Sequence, residues 1–248
     1  VALVIDASTP VVAVANAQSP ANTATFTPPD DVLLLMTWAG DSASATDPST
    51  PSVSDTQALS WTTDVWDHRT TGTPTLDGQA AIFHATQGVS GGAMHATATS
   101  GAPPVNNSQV FTCYVITGHD PVAPMGVIGS NRQSSGSSLS DGYTGSITGG
   151  QGFMIVCDWN AGSTATWAAE SGCTLLDAGT VGGLISYGVV QRTDPDGMLG
   201  ATTTLGLTGL VTGGQYHWAI AEVISLEAAI AAAAQAGYPA LGASPPMF

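Results

Sequence analysis

The chain is a succession of short apolar or alternating runs, each closed by a cluster of Gly, Pro, Asp or Ser, and this cadence constrains its fold more than any other feature. Candidate strands fall at Leu3–Ile5, Val11–Ala15, Ala24–Thr27, Val32–Trp38, Ala80–Ala85, Ala93–Thr99 and Val110–Thr117. They continue at Gly152–Asp158, Thr174–Asp177, Leu184–Gln191, Thr202–Leu207 and Tyr216–Ile224. Runs rich in β-branched and aromatic residues between turn-forming clusters are what a sandwich requires. The reading is therefore an all-β protein: an antiparallel β-sandwich, jelly-roll or lectin-like, over residues 1–224. In the last run, the Glu222 carboxylate reads as facing solvent.

One segment departs from this pattern. Ser225 can cap a helix, Glu227 suits the positive end of its dipole, and Leu226–Ala236 is Ala-rich, with Gly237 as a stop. Leu226 and Ile230 would form a narrow apolar stripe on it. Beyond lies an extended tail with Tyr238, Leu241, Met247, Phe248 and three prolines. Residues 225–248 thus read as a helix and tail appended to the sandwich. The stretches Asp41–Asp55 and Ser130–Gly150 read as long polar connections, and no internal repeat is visible.

Charge narrows the function. Of 248 residues only 3 are Lys or Arg against 18 Asp or Glu, a net charge of −15 at pH 7. Such a surface repels phosphate backbones and anionic membranes, so neither nucleic acid nor a membrane is an expected partner. No run approaches the length of a membrane span, and the apolar start of the chain lacks the basic leader of a signal peptide. Most acids are Asp beside Gly, Pro, Ser or Thr, where turns favour them. Cys113, Cys157 and Cys173 lack metal-like spacing and read as free thiols made in a reducing cytoplasm, with a single disulfide as the alternative.

Motifs that suggest chemistry are weak. Gly88-Val89-Ser90-Gly91-Gly92 matches Gly-x-Ser-x-Gly, but the run after it looks like a strand rather than the helix a nucleophile elbow needs. His84 and His95 flank an expected hairpin and would face each other across it, yet two imidazoles make a poor metal site. Asp194-Pro195-Asp196-Gly197 lacks the further oxygen ligands of a calcium loop. Asp158 and Glu170 are a conceivable glycosidase acid pair with nothing to mark them as such. No catalytic residue, cofactor or metal is expected. Of the tryptophans, Trp38 and Trp218 sit in apolar strands, whereas Trp66, Trp159 and Trp167 lie in polar stretches and are candidate glycan contacts.

Several runs carry a family resemblance. They are Thr25-Phe26-Thr27-Pro28-Pro29 leading into Val32–Leu35, Val53–Thr56 running on to Leu59-Ser60-Trp61, and Ala80–Ala85. After them come Val115–Gly118, Cys157–Ala161 and Ala219–Ile224. Together, over residues 20–225, the succession resembles a group of β-sandwich virion proteins encoded by actinobacterial phages: capsid decoration, minor capsid and minor tail proteins. The resemblance implies a non-enzymatic structural protein on the exterior of the virion. It would contact the major capsid protein or the tail proteins of the same phage, alone or as a trimer or dimer. The candidate capsid contacts are Leu226, Ile230, Tyr238, Leu241, Met247 and Phe248. The alternative is a minor tail protein that binds carbohydrate at the host surface.

Overall fold

The computed structural model describes residues 2–16, 18–42, 49–68, 77–89, 91–100, 108–133, 136–147, 149–158, 167–183, 185–193, 202–210 and 214–235. The elements of the first half are β1 (Val4–Ile5), β2 (Ala13–Ala15), β3 (Ala21–Asn22), β4 (Val32–Ser42), β5 (Ser52–Asp55), β6 (Thr62–His68), β7 (Asp77–Gln87), β8 (Ala96–Thr99) and β9 (Gln109–Thr117). Those of the second half are β10 (Met125–Gln133), β11 (Ser138–Thr144), β12 (Gln151–Asp158), β13 (Ala168–Ala169), β14 (Cys173–Val181), β15 (Ile185–Arg192), β16 (Thr202–Thr208) and β17 (Tyr216–Val223), followed by α1 (Leu226–Gln235).

All named pairings are antiparallel and build four sheets stacked as four layers. The two large sheets, ordered β1/β2–β9–β4–β7–β6 and β10–β17–β12–β15–β14, lie face to face. Leu33, Leu35, Ile82 and Ile116 of one meet Phe153, Ile155, Tyr187, Val189 and Val223 of the other. Each large sheet is covered on its outer side by a three-stranded sheet. β3–β8–β5 lays Met94, Ala96 and Ala98 over Leu34, Met36, Trp38, Phe83 and Phe111, while β11–β16–β13 lays Leu139, Leu205 and Leu207 over Met154, Val156, Trp218 and Ile220.

This layering explains the sequence pattern. A strand covered on both faces has no position for water to solvate, so Val32–Ala39 is buried throughout. A strand covered on one face alternates, and β8, with the sequence Ala-Thr-Ala-Thr, buries its alanines more deeply than its threonines. The buried indoles of Trp38 and Trp218 donate to Gln109 Oε1 at 2.9 Å and Asp141 Oδ2 at 2.7 Å. Both therefore satisfy their N–H within the core.

The two halves have the same topology. Adding eight to each label from β3 to β9 converts the sheet orders of the first half into those of the second, with β10 in the place of β1 and β2. Each half interleaves its strands between a large and a small sheet in the manner of a jelly roll. Even a β-bulge recurs, between Thr63 and Val65 opposite β7 and between Leu175 and Asp177 opposite β15. The body is an internal duplication of one sandwich, packed back to back. Residue identity barely reveals it: in the register set by the bulges, Leu-Leu-Leu-Met-Thr-Trp-Ala of β4 (Leu33–Ala39) corresponds to Gln-Gly-Phe-Met-Ile-Val-Cys of β12 (Gln151–Cys157), with one methionine in common.

Several expectations are corrected. Ser130–Gly150 is not one connection but holds the end of β10 and all of β11, and the stretch Asp41–Asp55 contains β5. β6 and β13 were not expected. In place of a strand at Ala24–Thr27 there is a single bridge from Phe26 to Met94, with β3 earlier in the chain. Glu222 is fully buried rather than solvent-facing. It accepts from Val127 N at 2.9 Å and from Ser146 N and Oγ, closing the loop before β12 onto the edge strand. Gly126 and Gly150 flank this carboxylate, and a Cβ at either would collide with it.

Candidate functional site

The α1 junction is the better built of the candidate sites. Ser225 Oγ accepts from Ala228 N at 3.1 Å, the capping bond its position predicts, and donates to the Gly149 carbonyl. Leu226 N donates to Gly118 O and Asp120 N to Ile224 O, so the loop between β9 and β10 holds the helix start. Ala228 is buried against Gly149, at the left-handed φ of +92°, where an added Cβ would crowd it. The helix thus docks through its smallest residues. Of the expected apolar stripe, Leu226 is half-buried and Ile230 is 62% exposed. Tyr238, Leu241, Met247 and Phe248 lie outside the described residues.

Beside the helix start runs a half-open groove of about 510 Å³, lined by Ala2, Leu3, Gly149, Gln151, Ser225 and Ala228 among others. The segment entering β1 and the segment leaving β17 therefore lie side by side at one end of the body. His119 sits under them, buried, with no partner for Nδ1, and burial holds its imidazole below the usual basicity.

The candidate glycan contacts are dispersed. Trp66 belongs to edge strand β6, not to a loop. It is half-buried, stacks on His68 at 3.8 Å and 8°, and donates to Gln79 Oε1 at 3.2 Å. Trp167 is 6% exposed, packed edge-on to Tyr216 under the second small sheet, and so is a core residue rather than a surface platform. Trp159 lies outside the described residues.

The catalytic suspects are likewise separated. His84 lies on β7 and binds both oxygens of Asp64, at 2.8 and 2.9 Å, while His95 leads into β8 of a different sheet, so the two do not form a facing pair. Asp158 is buried at one end of β12 and accepts from Gln215 N. Glu170 lies instead against the outer small sheet, its N–H donating to the Gly206 carbonyl of β16. Of the Gly88–Gly92 motif, Ser90 lies outside the described residues, as do Asp194–Gly197. Among the described residues no three His, Cys, Asp or Glu side chains are grouped to hold a metal, and no helix is long and apolar enough to cross a membrane. All three cysteines are free, and burial pushes the Cys113 and Cys157 thiols up.

One polar feature escaped the sequence reading. His217, on the inner face of β17, binds Asp67 of β6 with Nδ1 to Oδ2 at 2.7 Å, joining the two halves. Nothing in the spacing of two residues 150 apart signals this pairing.

Comparison with protein-family models, with curated proteins and with solved structures finds no match to this chain.

Proposed function

We propose that the protein is a structural component of a phage virion, most specifically a capsid decoration or minor capsid protein. In this role it sits on the outer shell and contacts the major capsid protein. The observation that carries the reading is the side-by-side placement of Ala2–Leu3 and α1 at one end, around an apolar groove and with Ile230 exposed. That arrangement suits a body held to a surface by the paired segments that enter β1 and leave β17. The net charge of −15 supports an exterior position, away from packaged DNA. The jelly-roll interleaving is shared by capsid and lectin domains, and fold alone does not choose between them.

The role is non-enzymatic: binding adds buried area to an assembled lattice and shifts its stability by mass action. Deleting Leu226–Phe248 should weaken or abolish binding to particles while the duplicated sandwich stays folded. Full binding by the truncated protein would remove the helix and tail as the anchor.

The second reading, a minor tail protein that binds host-surface carbohydrate, draws on the Trp66–His68 ring pair at the rim of a large sheet. It predicts saturable binding to cell-wall glycans that is lost in Trp66→Ala or Trp159→Ala.

A further inference from the structure

We propose that the end of the body bearing α1 docks onto a protein surface that is apolar at its centre and basic around it. This deepens the shell-binding reading and rests on it.

Backbone contacts gather the relevant side chains around Gly118–Asp120. Val4 pairs with Thr117 at the end of β9. Val89 follows β7, where Gly88 O accepts from Asp31 N. Val122 lies in the β9–β10 loop, its N–H donating to Asp120 Oδ1. Ile230 lies on α1, whose Leu226 N binds Gly118 O. These four account for most of the seven large apolar side chains that are exposed among the described residues, and Val89 and Val122 are 80% and 88% exposed. Aliphatic side chains concentrated at one end of an otherwise polar surface mark a contact surface.

The charges around them have one sign. Asp30, Asp31 and Glu227 are exposed and Asp120 half-buried at the same end. Among the described residues no Lys is present and only one Arg lies near this end. That residue, Arg192, turns its guanidinium toward the Thr204 carbonyl. A second copy of this chain would present the same carboxylates and be repelled. The complementary occupant is a different protein with Lys or Arg around an apolar patch.

The test uses the full chain and, as probe, phage particles assembled without it. Val122→Asp and Val89→Asp should each weaken binding by about tenfold or more, as expected for central apolar contacts. Asp120→Asn with Glu227→Gln should flatten the fall of wild-type affinity with salt. Val14→Asp, near the opposite end of β9, should bind as wild type does, and circular dichroism checks that every variant is folded. If the wild-type chain does not bind particles, the virion reading itself falls. If it binds while the valine variants bind equally well, this surface is not the contact. If the valine variants fail but binding is indifferent to salt, the basic partner is wrong.

Discussion

His217 of the second half and Asp67 of the first meet between the two large sheets, Nδ1 to Oδ2 at 2.7 Å, with the imidazole almost wholly buried. Removing the carboxylate leaves a buried ring nitrogen without a partner, which costs about 1–3 kcal/mol. Asp67→Ala should lower unfolding stability by that amount in a urea titration, and Asp67→Asn, which keeps an acceptor, by less. Equal stability of Asp67→Ala and wild type would mean that the pair does not help hold the halves together.

Glu222 accepts three hydrogen bonds with no exposure to solvent. Glu222→Gln turns an amide N–H₂ toward donors and should cost at least about 1.5–3 kcal/mol, the range for a hydrogen bond to a charged group. Amide exchange at Val127 and Ser146 reads the loss directly, as protection that falls in the variant.

Burial depresses the basicity of His119. Its unfolded counterpart titrates near the ordinary value of about 6.5, so below that pH the unfolded state binds a proton that the folded state resists. Stability from this group is thus present above about pH 6.5 and lost as pH falls toward the folded value. The melting temperature of wild type should fall more between pH 7 and pH 5 than that of His119→Gln. Parallel curves for the two proteins would contradict the assignment.

The repeated topology predicts that the chain can be divided. A break between Gly118 and Pro124 separates the halves without cutting a strand. Each half alone exposes the inner face of its large sheet, including Leu33, Leu35 and Ile82 in the first and Phe153, Ile155 and Val189 in the second. Co-expressed halves should purify as a one-to-one complex, and each alone should aggregate. Two soluble halves with no mutual affinity would show that the shared face is not an interface in its own right.

The parts of the fold legible in sequence were the strands buried on both faces. Val32–Trp38 and Val110–Ile116 are long, mostly apolar runs because every position on them is buried. Edge and small-sheet strands were not legible. β10 reads Met-Gly-Val-Ile-Gly-Ser-Asn-Arg-Gln and β11 Ser-Leu-Ser-Asp-Gly-Tyr-Thr, and both owe their conformation to pairing with β17 and β16 rather than to their own propensity. The duplication was hidden for a related reason: a core position needs only an apolar side chain of fitting volume, so the two halves share topology with little residue identity. Glu222 was misplaced because its burial depends on donors distant in sequence, Val127 and Ser146, and Trp167 because its burial comes from packing against Tyr216, also distant in sequence. At the helix, Ser225 was legible because capping is local, whereas the exposure of Ile230 depends on which face meets Gly149.

The virion reading is tested most directly by quantitative mass spectrometry of the phage particles it proposes, purified and scaled to their major capsid protein. Decoration of the shell predicts copies on the order of hundreds per particle, as a lattice-wide site requires; absence from the particle would contradict it.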